Sequence, residues 1–323
     1  MSIALRHDTP PHAPEAGWAR RLLGPFHVTG VFWFRFHCWG VTILPSWAVG
    51  PVIALFTTFF WVALRKIRAA IASNLEPVLG PCGWWQRQRR IYRTFWNFAW
   101  CLSERYERLS TDRVFTVQLE GEESWRELAG TQRGFVFVTA HLGSWEVGSM
   151  LPASRDRLRV HVVREAETDP RAQRFIEGLI HSRGGDLYTT HFADDPQLGV
   201  NLLDSLRRGE IVALQGDRPR SGGRTAEVRL FGRPFHLPIG PVALARAAGV
   251  PLIPVFVFRE GRRGYRCVVR PAIHVVPSHD RRQDLVAALE RFAADLEDAI
   301  RRHPYQWFCF RSLWTEWNVL KSQ

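Results

Sequence analysis

Residues 134–146 read Gly-Phe-Val-Phe-Val-Thr-Ala-His-Leu-Gly-Ser-Trp-Glu and carry an apolar run into a histidine, with an acid five residues after it. The β-branched and aromatic run at 134–140 predicts a buried strand. The following Leu-Gly-Ser predicts a turn, with Ser144 as the N-cap of a helix. Glu146 then falls in the first helical turn, where the helix dipole favours an ionised carboxylate. This stretch predicts a strand, a turn and a helix in immediate succession.

The chain after this stretch continues to alternate between strand and helix patterns. Further strands are predicted at residues 158–163, 211–214, 252–258, 267–270 and 273–276, the last two at the sheet edge. Helices are predicted at 197–208 and 242–248, each followed by a glycine. A third, long amphipathic helix is predicted from an apolar face formed by Leu285, Leu289, Phe292, Leu296 and Ile300. This order predicts an α/β fold with a central, mostly parallel sheet flanked by helices, formed by one domain over residues 111–323.

The first 110 residues have a different pattern and are predicted to form a membrane-associated helical region. Residues 1–18 are polar and proline-rich, which predicts a disordered start without the pattern of a secretory signal peptide. No Asp, Glu, Lys or Arg occurs between Arg35 and Arg65. The stretch at about 41–64 is long enough for a membrane anchor, although its two prolines leave open whether it spans the bilayer, lies in the interface or packs as a core helix.

Residues 84–108 interleave arginines with aromatic side chains. Such a segment can stack on nucleic-acid bases, or it can lie on anionic lipid with its aromatic face buried. Because it follows an apolar anchor, the lipid interpretation is favoured.

The composition limits the kinds of partner that the protein can bind. The net charge of +12 calls for an anionic partner, such as a nucleic acid, an acidic carrier protein or a membrane surface. The five cysteines are scattered, without a C-x2-C pair, which argues for a reducing compartment and against a disulfide framework or a zinc site. No P-loop, no G-x-G-x-x-G after a strand and no clustered metal ligands occur in the sequence, so neither a cofactor nor a metal is implied.

His141 and Glu146 form the candidate catalytic pair. A histidine at a strand end can serve as a general base if a carboxylate fixes its tautomer and stabilises its protonated form. The same residues also fit a strand-ending histidine and a solvated first-turn acid, and for an isolated H-x4-E match this simpler interpretation is favoured.

Further motifs occur along the chain in a fixed order. They are His161-Val-Val-Arg164 with Asp169-Pro170, Gln215-Gly-Asp217-Arg218, Phe231-Gly-Arg-Pro-Phe-His-Leu-Pro238-Ile-Gly240-Pro241, and His303-Pro-Tyr-Gln306-Trp307. Together with the H-x4-E motif, this ordered set resembles the glycerolipid acyltransferase superfamily, and His-Leu-Gly-Ser-Trp-Glu looks most like its bacterial lipid A biosynthesis (lauroyl/myristoyl) acyltransferase family. Asp169 stands where this family usually has asparagine. The Gly-Asp-Arg sequence at 216–218 is closer to the group that includes phosphatidylinositol mannoside acyltransferases.

The resemblance implies an O-acyltransferase of lipid biosynthesis. The acyl donor would be acyl carrier protein or acyl-coenzyme A, and the acceptor a hydroxyl of a lipid A precursor or a related glycolipid or lysolipid. His141 and Glu146 would be catalytic, and Arg164, Asp217, Arg218 and Gly240 would bind substrate. The protein would lie on an anionic membrane surface, at the cytoplasmic face of the inner membrane.

Two other functions are compatible with parts of the sequence. A basic nucleic-acid-binding protein fits the charge, but the long uncharged segment argues against it, and no nucleic-acid-binding motif is found. A lipid hydrolase would use the same dyad on water, although the G-x-S-x-G elbow is missing from the sequence.

Overall fold

The computed structural model describes residues 31–130, 133–147, 158–167, 169–219 and 223–314. The start predicted to be disordered, residues 1–18, lies outside the described residues. From residue 31 onward, four helices precede the first strand: α1 (Val31–Ile43), α2 (Ser46–Ala63), α3 (Arg65–Leu79) and α4 (Trp84–Ser110).

The predicted anchor at 41–64 is divided between two of these helices. Residues 41–43 end α1, and Pro45 marks the break before α2, because the residue before a proline is pushed out of the helical conformation. Among the described residues, α2 is the one helix long and apolar enough to cross a membrane, and 17% of it is buried within the protein.

A seven-stranded sheet forms the centre of the remaining chain. Its strands are β1 (Thr116–Glu120), β2 (Phe135–Thr139), β3 (Val160–Arg164), β4 (Tyr188–Phe192), β5 (Ile211–Gln215), β8 (Leu252–Arg259) and β9 (Gly264–Val269). Their order is β1-β9-β8-β2-β5-β3-β4. The five strands from β8 to β4 are parallel, and β9 runs antiparallel to β8. Strands β6 (Thr225–Leu230) and β7 (Arg233–Pro238) form a separate antiparallel hairpin. The predicted α/β fold with a mostly parallel sheet is confirmed.

Helices cover both faces of this sheet. They are α5 (Glu122–Gly130), α6 (Pro170–Gly184), α7 (Leu198–Arg207), α8 (Gly240–Ala248) and α9 (Arg281–Arg302). Successive side chains of a strand point to opposite faces. Val136 and Val138 therefore pack in the core that contains α7, α8 and α9. Phe135 and Phe137 pack in the core that contains the end of α4 together with α5 and α6. A strand buried on both faces explains why 134–140 reads as a continuous apolar run.

Two predictions about the edge of the sheet are wrong. The strand predicted at 267–270 is β9, but it lies second from the edge, because β1 pairs with its outer side. Residues 273–276 do not form a strand; Ile273 makes an isolated bridge to Leu252. Strand β1 was missed because its alternating half-buried and exposed residues lack the apolar run of a buried strand.

Helix α4 is joined to the sheet by a buried carboxylate. Glu104 is 1% exposed and accepts hydrogen bonds from Arg259 Nε at 3.0 Å, the Arg263 backbone N–H at 2.9 Å and the Tyr265 hydroxyl at 2.5 Å. Burial and the neighbouring Glu104 charge raise the pKa of Tyr265, so its hydroxyl stays protonated and donates. These bonds cross the predicted domain boundary between residues 110 and 111.

Candidate active site

His141 lies two residues beyond the end of β2, on a fixed backbone. Its carbonyl accepts a hydrogen bond of 2.8 Å from the Phe308 N–H. Gly143 follows with a φ of 58°, and a Cβ atom there would lie 2.0 Å from the carbonyl oxygen of Val257. Only glycine fits this turn, because it tolerates a positive φ and has no Cβ atom to clash. The turn therefore holds the imidazole at the carboxyl edge of the sheet.

The carboxylate bonded to His141 belongs to Asp217. His141 Nδ1 lies 2.8 Å from Asp217 Oδ1, and the Asp217 side chain is fully buried. The Trp307 indole N–H and the Cys309 thiol lie 3.3 Å and 3.7 Å from Asp217 Oδ2. An ionised carboxylate can only accept, so Nδ1 carries a proton and Nε2 of the neutral ring is left as a proton acceptor.

The register of the sheet explains this pairing. Strands β2 and β5 are parallel neighbours in which Thr139 pairs with Gln215, and His141 and Asp217 each follow two residues later. Burial alone would raise the pKa of Asp217, but the charge and hydrogen bond of His141, with the charge of Arg218, hold that pKa below its usual range. Asp217 is therefore a permanent anion beside the imidazole.

Glu146, predicted to orient His141, makes different contacts. Its Oε2 lies 2.5 Å from Arg105 Nε and its Oε1 lies 3.3 Å from Arg164 Nη2. The helix that begins at residue 145 turns this carboxylate toward α4 and the end of β3. For Arg164, the sequence left open a pair with one of the neighbouring glutamates at 165 and 167, and the structure pairs it with Glu146.

A cavity of about 1080 Å³ adjoins His141. Of the predicted site residues, His141, Glu146, Arg164, Arg218 and Gly240 line it, whereas Asp217 lies behind the imidazole. Within the described part of the chain, the charged residues that line it are six arginines and two glutamates: Arg105, Arg164, Arg218, Arg224, Arg281, Arg311, Glu146 and Glu165. Apolar side chains from α7 and α8 line another part of the wall. The cavity can therefore hold a molecule with an anionic group and a hydrocarbon chain.

Sequence reasoning missed three residues of this site. Arg105 comes from α4, where it was one of many basic residues, so no signal distinguished it. Trp307 and Cys309 contact the far side of Asp217 from the C-terminal segment. The motif that contains Trp307 was recognised, but its position behind Asp217 is visible only in the folded chain.

Comparisons with known proteins agree on one class of enzyme. The sequence model of the family described as bacterial lipid A biosynthesis acyltransferase matches residues 22–316. A phosphatidylinositol mannoside acyltransferase of Mycobacterium tuberculosis is 28% identical over 183 residues, which are 56% of this chain and 54% of that protein. The corresponding protein of Mycolicibacterium smegmatis is 27% identical over 184 residues, 56% of this chain and 57% of that protein. The matches thus span about half the length of these relatives.

Among solved structures, the 1-acyl-sn-glycerophosphate (LPA) acyltransferase PlsC from Thermotoga maritima aligns with this chain with a TM-score of 0.38 and 12% identity, covering 80% of this chain and 98% of that chain.

Proposed function

The chain belongs to the bacterial lipid A biosynthesis acyltransferase family, and we propose that it transfers a fatty acyl chain from an acyl thioester to a hydroxyl group of a lipid. The observation that carries this proposal is the bond between His141 Nδ1 and the buried Asp217, 2.8 Å long, beside a large cavity. It fixes the tautomer in which Nε2 can accept a proton.

In the proposed reaction, His141 Nε2 removes the proton of the acceptor hydroxyl as its oxygen attacks the thioester carbonyl. The tetrahedral intermediate collapses, the carbon–sulfur bond breaks, and the imidazolium returns its proton to the leaving thiolate. Asp217 stabilises the imidazolium while it exists. Proton and acyl group are thus both transferred, and the enzyme is left unchanged.

A cysteine nucleophile is not needed, since a thioester is already activated. Cys309, whose thiol lies 3.7 Å from Asp217 Oδ2, is buried, and burial together with the Asp217 charge raises its pKa well above the usual value. Burial also raises the pKa values of Cys101 and Cys267 to about 12. A thiol that stays protonated is a poor nucleophile, so these groups are assigned to packing.

The acceptor is proposed to be a glycolipid or lysolipid, either a lipid A precursor or a mannosylated phosphoinositide of the kind named for the mycobacterial relatives. The arginines of the cavity support a phosphate-bearing substrate. The donor is proposed to be acyl carrier protein or acyl-coenzyme A, both of which are anionic.

The direct test is incubation of the purified protein in detergent with a membrane lipid extract and with acyl carrier protein or coenzyme A that carries a labelled acyl chain. We expect the labelled acyl chain to move to a lipid, which mass spectrometry would identify. Release of free fatty acid without any acylated lipid would instead support a hydrolase, and no turnover of either thioester would contradict the proposal.

The candidate span and the family both indicate association with a membrane. We propose the cytoplasmic face of the inner membrane, where the acyl donors are found. High-salt washing is not expected to release the protein from membranes, because salt screens surface charge but does not weaken apolar burial. Recovery mainly in the soluble fraction of gently lysed cells would contradict this location.

Replacing two exposed apolar residues of α2 by lysine provides a sharper test of the same location. Leu55 and Phe59 are 70% and 61% exposed, so their replacement by lysine leaves the core intact. Each charge costs about 2.5–3.5 kcal/mol at the centre of a membrane helix. The double variant should shift toward the soluble fraction, whereas Val276→Lys, at a site that is 76% exposed outside the helical region, should not.

A further inference from the structure

One segment of the chain, residues 304–313, contacts both the proposed general base and its carboxylate partner. On the side of the base, the Phe308 N–H donates to the His141 carbonyl at 2.8 Å, and the Gln306 carbonyl accepts from the Gly143 N–H at 2.8 Å. These two bonds fix the backbone of the turn that carries the imidazole. The position of the imidazole therefore depends on where the 304–313 segment lies.

The same segment contacts Asp217 and the chain just after it. The Trp307 indole N–H and the Cys309 thiol lie 3.3 Å and 3.7 Å from Asp217 Oδ2. Two residues after Asp217, the Pro219 carbonyl accepts a hydrogen bond from the Arg311 guanidinium group. A shift of the 304–313 segment would thus move the carboxylate as well as the imidazole.

A buried amide on α3 holds this segment in turn. Asn74 is 2% exposed. Its Nδ2 donates to the Cys309 carbonyl at 3.0 Å and to the Arg311 carbonyl at 2.8 Å, and its Oδ1 accepts from the Leu313 N–H at 3.0 Å. Both N–H groups and the oxygen of one amide are therefore bonded to a segment that lies 235–239 residues away along the chain.

Aromatic packing alone would not fix the register of the segment. The rings of Phe95 and Phe98, on α4, lie 6.5 Å and 4.8 Å from the Phe310 ring. Apolar contacts of this kind favour burial but are non-directional, so they would allow the segment to slide along the helix. Hydrogen bonds need a donor and an acceptor in line. The three bonds of Asn74 therefore set the register.

We propose that Asn74 is a positioning residue for the proposed reaction, because it holds the 304–313 segment in the register that keeps His141 and Asp217 at bonding distance. It acts through this segment and not on the reacting atoms. Proton transfer depends on geometry, and a misplacement of about 1 Å can cost about 10²-fold in rate. The inference rests on the proposed function for the reaction that is measured, whereas the fixing of the segment has a readout of its own.

The rate of acyl transfer tests the effect on catalysis. Asn74→Asp keeps the shape of the side chain but loses the amide donors, so two backbone carbonyls face a carboxyl group. We expect kcat to fall at least about tenfold. KM should stay within about threefold, because a misplaced base affects the transition state and not substrate binding. A raised KM with unchanged kcat would assign Asn74 to substrate binding and overturn the inference.

Asn97→Asp is the matched control for the kinetics. It makes the same chemical change on α4, where the Asn97 amide donates to the Arg93 carbonyl of its own helix. This variant should keep the wild-type kcat. An equal loss of kcat in both variants would show that any added carboxyl group in the helical region impairs the enzyme, and would contradict a specific role of Asn74.

Labelling of Cys309 with iodoacetamide tests the fixing of the segment without any acyl transfer. This thiol is buried against Asp217, so it reacts when the segment opens. In the full-length protein in detergent, Asn74→Asp should raise the labelling rate at Cys309 at least about tenfold. Cys267, buried in β9, should keep its rate. Equal acceleration at both cysteines would indicate general unfolding and overturn the inference, as would an unchanged rate at Cys309.

Trp307→Phe tests the other end of the path from Asn74 to Asp217. It keeps an aromatic ring and removes the N–H beside the carboxylate, so kcat should fall at least about threefold. The double variant with Asn74→Asp should lose less than the product of the single effects, because both act on one carboxylate. Fully multiplicative losses would overturn the path. If Asn74→Asp does not fold, Asn74→Ala, which removes the three bonds without adding a charge, replaces it.

The two proposals fail separately. Faster labelling of Cys309 in Asn74→Asp, in a protein that acylates no lipid, would support the fixing of the segment and contradict the proposed function. An active enzyme whose Asn74→Asp variant keeps its kcat would contradict the positioning role alone.

Discussion

Replacing His141 by alanine is expected to remove nearly all acyl transfer, with a fall in kcat of about 10²–10⁴-fold or more, because the variant loses the proposed general base. The same change removes a partner of the buried Asp217 carboxylate. We therefore expect a loss of about 1–3 kcal/mol in the free energy of unfolding as well. Initial rates of acyl transfer and the unfolding midpoint would measure the two effects.

His141→Gln separates catalysis from stability. A glutamine amide can still donate to Asp217 but cannot accept a proton at neutral pH, so this variant should be as inactive as the alanine variant and more stable. Asp217→Asn should cost on the order of 10²–10⁴-fold in kcat, because it loses the charge that stabilises the imidazolium. Near-normal turnover in a folded His141→Ala enzyme would refute the mechanism.

Replacing Gly143 by alanine is expected to have the largest effect on folding. The new Cβ atom would lie 2.0 Å from the Val257 carbonyl oxygen and 3.0 Å from Gln306 Oε1. A positive φ alone costs about 1–2 kcal/mol for a residue with a Cβ atom. The clash must also separate two chain segments, which breaks the 3.1 Å bond from the Ser144 N–H to Val257. We expect a total loss of about 3 kcal/mol or more.

Gly178→Ala is the matched control, since Gly178 lies on α6 with nothing within 4 Å of a new Cβ atom. It should leave the protein as stable as before, or stabilise it by about 0.4–1 kcal/mol, because alanine reduces the freedom of the unfolded chain. Urea unfolding of both variants, with activity assayed on the folded fraction, measures the difference. A Gly143→Ala protein that unfolds at the same urea concentration as the wild type and retains turnover would show that the turn is not rigid.

The fold was largely predictable where burial imposes a pattern. Strand β2 and helix α9 follow directly from an apolar run and from a 3.6-residue period, because each must bury a defined surface. The β6–β7 hairpin was quoted only as a motif. Its turn places Phe231 and Gly232 at φ values of 52° and 71°, and the phenylalanine at the first of these positions is not a residue that signals such a turn.

Several members of the candidate site were predicted from the sequence, but their pairings were not. His141, Glu146, Arg164 and Arg218 meet at one cavity, as strand ends in an α/β sheet are expected to do. The partner of His141 depends on the register between β2 and β5, whose segments are 76 residues apart. Spacing along the chain favoured Glu146, five residues away, but local spacing carries no information about a register set by the packing of the whole sheet.

The bonds of Glu104 have a consequence for how this enzyme can evolve. One helix supplies both the carboxylate that holds the β8–β9 hairpin and, one position later, an arginine of the substrate cavity. A recombination event that replaced the N-terminal helices would leave the half-buried Arg259 and the buried Tyr265 hydroxyl without their acceptor, and would remove Arg105 from the cavity. The N-terminal helices and the wall of this cavity are therefore inherited as a single unit, and changes in one restrict changes in the other.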